Sequence, residues 1–182
     1  MLSLVAILAS GCAQSSTVLS AGDRTAPDFS GVDSEQQALS LRDLLATRPV
    51  IVHFIEIHCA CSRQAAVHVQ RLQDAYGQSV SVIGIINAHP EDAKRWRREA
   101  GVSFTVIADP WCEIVRSYGV ERSVHTVLVN RMGRVAAIHP RYSIASLNEL
   151  NTQVATLLSI PTRFISTEGA PVKPTAGCTF PE

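Results

Sequence analysis

Val50-Ile51-Val52-His53-Phe54-Ile55-Glu56-Ile57-His58-Cys59-Ala60-Cys61-Ser62 runs from an apolar, β-branched segment through two thiols into a helical pattern. The first eight residues are almost continuously apolar, which predicts a strand over Val50–Ile57 buried on both faces, as in a parallel sheet. From Ser62 to Tyr76, Ala65, Ala66, Val69, Leu72 and Tyr76 recur on one side, which predicts a helix with Ser62 as N-cap and Gly77 as its end. Two thiols therefore lie at a strand-to-helix junction. The first N–H groups of a helix are unpaired and carry partial positive charge, so a sulfur there is stabilised as thiolate, the reactive form.

The same alternation continues down the chain. Leu39–Ala46 reads as a short helix, Val80–Ile86 as a second buried strand, Pro90–Ala100 as a charged helix closed by Gly101 and Phe104–Ala108 as a third strand stopped by Asp109-Pro110. Trp111–Tyr118 follows as a helix closed by Gly119. Val124–Val129 and Arg134–Ile138, joined by Asn130-Arg131-Met132-Gly133, read as a β-hairpin. Ser143–Leu158 carries Ile144, Leu147, Leu150, Val154 and Leu157 at helical spacing, and Pro161 opens a tail with several prolines. Strands alternating with helices imply an α/β fold: a central, mostly parallel sheet with helices on both faces and an antiparallel hairpin at its C-terminal edge. The Lys94–Arg98 cluster, with Trp96, reads as an exposed helix face.

Charge and composition exclude some partners. Lys plus Arg and Asp plus Glu both number 16, so nothing favours nucleic acid, and aromatics are only 5% of the chain, too few for a base-stacking surface. Met1 to Ala9 is apolar and precedes Ser10-Gly11-Cys12. This resembles a bacterial lipoprotein signal, which implies cleavage before Cys12, lipid on its thiol and an extracytoplasmic, membrane-anchored protein of the cell envelope, although the usual basic residues at the start are missing. Gln14 to Thr25 is small and polar, as a flexible tether is. The expected organisation is a signal over 1–11, a tether over 12–25, a redox domain over 26–160 and a tail over 161–182. With Cys12 lipidated, Cys59, Cys61, Cys112 and Cys178 remain, and four thiols allow three full pairings.

Four segments carry a resemblance to the thioredoxin fold and, more closely, to the redoxins of the alkyl hydroperoxide reductase and peroxiredoxin-like (AhpC/TSA) family. They are Gly22-Asp23-Arg24-Thr25-Ala26-Pro27-Asp28-Phe29, Leu39-Ser40-Leu41-Arg42-Asp43-Leu44, the Cys59 strand, and Phe104–Asp109 continuing through Tyr118-Gly119-Val120, Val127–Val129 and Gly133. The resemblance implies a thiol oxidoreductase with Cys59 as nucleophile, no cofactor, a peroxide or disulfide substrate and a thiol reductant protein as partner. Peroxiredoxins carry Pro seven residues and Thr or Ser three residues before this Cys; here Val52 and Glu56 stand there. Thioredoxin-type reductases carry CxxC and a cis-proline facing it; here the spacing is CxC and Val124 fills the proline's slot. A non-proline cis bond costs about 2.5–4 kcal/mol, so a trans bond is expected.

Cys61 is a candidate resolving thiol; its ring with Cys59 is tight and should be easily reduced. Cys178, in a C-terminal segment as resolving thiols of peroxiredoxin-like proteins often are, is the other candidate, reaching Cys59 by flexible approach. His58, Arg63 and Arg122 are candidate cations beside the thiolate. Cys112 reads as buried packing and His53 as a satisfied core histidine. An alternative set, Cys59, Cys61 and His125, has the thiolate and imidazole donors of a copper-binding thioredoxin-fold chaperone. A second alternative is a non-catalytic scaffold stapled by its cysteines.

Overall fold

In the computed structural model, residues 24–181 are described; the expected signal cleavage, lipid on Cys12 and tether concern residues outside them, apart from the tether's last two positions. Among the described residues, the first elements are a two-stranded antiparallel hairpin, β1 (Ser30–Val32) and β2 (Ala38–Ser40), followed by α1 (Leu41–Leu45). Then come β3 (Val50–Ile55), α2 (Ala60–Tyr76), β4 (Ser81–Ile86), α3 (Pro90–Ala100), β5 (Thr105–Ala108), α4 (Glu113–Ser117), β6 (Thr126–Val129), β7 (Val135–His139) and α5 (Ile144–Leu158).

The main sheet has the order β5-β4-β3-β6-β7. β3, β4 and β5 run parallel, and β6 and β7 are antiparallel to their neighbours, so the sheet is mixed, with the expected hairpin at one edge. β3 sits in the centre, and all six of its residues are buried. Ile51 and Ile55 face a core built with Ala66, Val69 and Leu72 of α2, Trp96 of α3 and Val154 of α5. Val52 and Phe54 face the other core, with Leu41 of α1 and Val115 of α4. Burial of this kind contributes about 1.5–3 kcal/mol per large side chain. Gly84, paired with His53, lies where a Cβ would come within 2.8 Å of Ile55 Cδ1, so β4 can pack this tightly only without a side chain there.

Several expectations need correction. The central strand stops at Ile55 rather than Ile57, and α2 begins at Ala60 with Cys59 as N-cap. Ser62 lies inside the first turn, and its hydroxyl accepts the Glu56 N–H at 3.2 Å, a bond that holds the turn before the helix. The helix expected from Trp111 begins at Glu113, because Cys112 takes a left-handed conformation with φ 55°. Trp96 is buried: the α3 cations lie outward while the indole faces the core. The β1–β2 hairpin was not anticipated; its three-residue strands are too short to show a period.

The tail is ordered. After α5 the chain returns along the molecule: Asn151 Nδ2 donates to the Arg163 carbonyl, Arg71 donates to those of Ser166 and Glu168, and Thr175 exchanges both backbone bonds with Tyr142. Ile165 and Phe180 are buried in the two cores, one on each side of the sheet. No described helix is long and apolar enough to cross a membrane.

Candidate active site

Cys59 sits where β3 hands over to α2. The Cys59 N–H donates to the Glu56 carbonyl at 3.2 Å, and the Cys59 carbonyl accepts from Ser62 N–H at 3.1 Å, which starts the helix. Its side chain is 3% exposed. Two segments close over the sulfur. One is the loop before β6, with Ser123 and Val124. The other is the tail: the Cys178 N–H donates to Cys59 Sγ at 3.1 Å. The Ser123 hydroxyl is buried and has no hydrogen-bond partner among the described residues, so it is free to turn its proton toward the sulfur.

Burial opposes ionisation of Cys59, but hydrogen bonds outweigh it: from the Cys178 thiol, the Ser123 hydroxyl, the Cys178 N–H and the Ser62 N–H. Together they lower its pKa from 9.0 to about 6. The sulfur is therefore a thiolate at neutral pH. The Cys178 thiol is pushed up to about 11 by its hydrogen bond to Cys59, with smaller contributions from burial and from the charges of Cys59, Glu56 and Cys61. Burial and the neighbouring Cys59 charge push Cys61 up as well. All four described cysteines are unbridged.

The expected cations do not support the thiolate. His58 is exposed and contributes only its backbone N–H, to Glu56 Oε2 at 3.1 Å. Arg63 lies on the rim of the groove beside Cys59 but pairs with the Glu99 carboxylate at 3.6 Å. Arg122 acts on the tail instead, donating Nε–H to the Gly177 carbonyl at 3.0 Å. The flexible approach expected of Cys178 is replaced by a docked one. Ser123 and the tail are joined by two backbone bonds, Ser123 N–H to the Cys178 carbonyl at 2.9 Å and Gly177 N–H to the Ser123 carbonyl at 3.1 Å. Gly177 is required there, since a Cβ would run into the Ser123 hydroxyl and lie 3.1 Å from its backbone.

Val124 fills the slot opposite the cysteines with a trans peptide bond and φ 60°, a region that costs a β-branched residue about 1–3 kcal/mol. Its N–H donates to the Phe54 carbonyl at 2.9 Å, and its side chain packs with Ala65, Tyr142, Leu147 and Cys61. His125 stands edge-on to the Phe54 ring at 6.0 Å. It is not among the ligand-type atoms gathered around the sulfur. Those are Glu56, Cys59 and Cys178, whose carboxylate oxygen and two sulfurs lie within 4.8 Å of one another. The two thiolates and imidazole of the copper-type alternative are thus not brought together. Cys112 is buried as expected. His53 is only half satisfied: Nδ1 pairs with Thr126 Oγ1 at 2.9 Å and Nε2 has no partner.

Sequence reasoning located Cys59 but missed Ser123, and it read Glu56 only as a departure. A carboxylate at the end of an apolar strand was the available signal for Glu56; nothing in the sequence marks Ser123. Beside the sulfur, an open groove of about 630 Å³ runs between α2 and α3 over Ile57, Ala60, Val67 and Ala100, with the Arg63–Glu99 pair on its rim.

Residues 23–138 match the AhpC/TSA family model. The thiol-disulfide oxidoreductase ResA of Halalkalibacterium halodurans is 26% identical over 109 residues, 59% of this chain and 61% of that protein. A Mycobacterium tuberculosis relative whose name places it among the peroxiredoxins is 31% identical over 105 residues, 57% of this chain and 66% of that protein. The chain thus spans less than two thirds of the length of either. A Chlorobium tepidum structure described as a thiol:disulfide interchange protein of the DsbE type superposes with a TM-score of 0.67 at 25% identity, covering 74% of this chain and 95% of that one. The family match ends before the tail that carries Cys178.

Proposed function

This chain belongs to the AhpC/TSA family, and from that membership we propose that it is a thiol-dependent oxidoreductase in which Cys59 attacks and Cys178 resolves. The observation that carries the reading is the contact between the two: Cys178 N–H on Cys59 Sγ, with the thiols within 4.8 Å. A hydroperoxide is the substrate the geometry favours. The sulfur is almost covered, which suits a small oxidant better than a bulky one. The Cys59 thiolate attacks the distal peroxide oxygen, the O–O bond breaks, the alkoxide or hydroxide leaves and takes a proton from solvent, and Cys59 becomes a sulfenic acid. The Cys178 sulfur then bonds to Cys59 as water leaves. A dithiol reductant returns both thiols and is itself oxidised to a disulfide. Cys61 suits the resolving role less well, since bridging it to Cys59 would distort the first turn of α2.

A second reading, exchange with a substrate disulfide, is favoured by the open groove beside Cys59. The test is addition of one equivalent of hydrogen peroxide to the reduced protein, followed by mass mapping. The expected product is a Cys59–Cys178 disulfide that Cys59→Ser abolishes. If Cys59→Ser leaves both peroxide consumption and disulfide exchange unchanged, the assignment is wrong.

Tethering to the cell envelope through lipid on Cys12 belongs to the same proposal. It is supported by the apolar run from Met1 to Ala9 and the small residues before Cys12. Release of the Cys12→Ser protein from the membrane fraction is the expected result; identical membrane partitioning of the variant would contradict it.

A further inference from the structure

Glu56 is 7% exposed and has no cationic partner among the described residues. Its carboxylate accepts the His58 N–H at 3.1 Å and meets Asn87 Nδ2 at 3.5 Å, the limit of a hydrogen bond. Burying a carboxylate with so little compensation is costly, and its position is specific: a side-chain oxygen lies within 4.8 Å of both Cys59 Sγ and Cys178 Sγ. The ionisable groups facing it are Cys59 on its own loop, Cys178 on the tail and Cys112 at the start of α4, whose thiol is raised in part by the Glu56 charge.

The resolving step has an unmet need. Cys59 is ionised before it reacts, but Cys178 is a free thiol held beside it and must lose its proton as the disulfide forms. The sulfenic oxygen, in turn, must gain a proton to leave as water. We propose that Glu56 is the proton carrier of the resolving step, taking the proton from the Cys178 thiol and delivering it to the oxygen that leaves Cys59. This rests on the assignment of Cys59 and Cys178 above. The balance is closed: the Cys178 S–H bond and the Cys59 S–O bond break, the S–S bond and one water O–H bond form, and the carboxylate is regenerated. The oxidant is the hydroperoxide that made the sulfenic acid. General-base assistance of this kind is worth about 10²–10⁴-fold.

Rapid-quench mass spectrometry of the full chain after a peroxide pulse reads the two steps separately. Glu56→Gln keeps the size and the hydrogen-bonding capacity of the side chain. The expected result is a Cys59 oxidation rate within about twofold of wild type and disulfide formation slowed at least about tenfold at neutral pH. The slowed rate should climb close to tenfold per pH unit, because hydroxide then removes the proton; the wild-type rate should stay nearly flat. A role through charge alone has the opposite sign, since removing the carboxylate would ease ionisation of Cys178 and speed resolution. An unchanged or faster resolving step in Glu56→Gln, with oxidation intact, overturns the proposal. Glu56→Ala offers a second arm: added formate should restore disulfide formation, and its failure to do so counts against Glu56 as a carrier. If Cys59 of the wild type is not oxidised, it is the assignment of the nucleophile that fails instead.

Discussion

The sulfur of Cys59 is held ionised by neutral groups: two N–H groups, a hydroxyl and a thiol. Donors of this kind stabilise an anion without attracting a second charged partner, and they are fixed by backbone rather than by long side chains. Ser123 is the donor that can be removed with least disturbance. Ser123→Ala should raise the Cys59 pKa above about 6, by on the order of one unit for a single lost hydrogen bond, as read by thiolate absorbance across a pH titration. A variant that titrates with the wild type would show that the hydroxyl does not act on the sulfur. At this level the sequence was half legible. The Cys at a strand-to-helix junction is a local pattern, and it was found. The expected cations lie beside Cys59 in the chain or just before the strand that faces it, yet Arg63 pairs with Glu99 and Arg122 with the tail. The groups that do touch the sulfur are 64 or more residues away in the chain, or are backbone atoms, and neither carries a sequence signal.

Two segments matter beyond the strand and helix that present Cys59. The loop before β6 holds Val124 in a left-handed conformation, fixed by bonds to Phe54 on both sides: Val124 N–H to the Phe54 carbonyl, and Phe54 N–H to the His125 carbonyl. The tail docks on that loop through Gly177, where no side chain fits. Gly177→Ala should lift the tail from Ser123, deprive Cys59 of the Cys178 N–H and move its pKa back toward 9.0. Residues 161–181 should also become more sensitive to protease, while the sheet remains protected from hydrogen exchange. If protease sensitivity and the Cys59 pKa both stay as in the wild type, the tail is not the cover described. The longer helices and the main-sheet strands were legible because burial gives them a helical period or an unbroken apolar run. The tail was not: it holds its place through backbone bonds and through Ile165 and Phe180, two apolar side chains too far apart to form a pattern.

For the molecule as a whole, ionisation couples to stability in two pH windows. His53 is buried and His125 half-buried; their pKa values are lowered from 6.5 to about 3 and about 4, chiefly by burial, and further by the cost of a second positive charge beside His125 for His53 and beside Arg24 and His139 for His125. The unfolded chain takes up these protons near pH 6.5 and the folded chain only well below, so stability should fall as pH drops from 6.5 toward 3. Cys59 acts in the next window. Its folded pKa of about 6 lies below the ordinary 9.0, so its contribution is complete above pH 9 and is lost as pH falls to 6. Each group adds a slope of at most about 1.4 kcal/mol per pH unit. Urea midpoints measured across pH should show His53→Val flattening the acidic arm and Cys59→Ser the neutral arm. The reverse pairing, or no change in either slope, would contradict these ionisation states. The fold order, the mixed sheet and the family resemblance could be read from the sequence, since each rests on repeated local patterns. The closure of the site depends on which distant segments meet.

The most direct test of the redox reading is the ionisation of one sulfur in the intact, reduced protein. Alkylation with a small reagent across pH, with Cys59 followed individually by mass spectrometry, should give a rate that is half-maximal near pH 6. A half-maximal rate near 9.0, the value of an unassisted thiol, would contradict it.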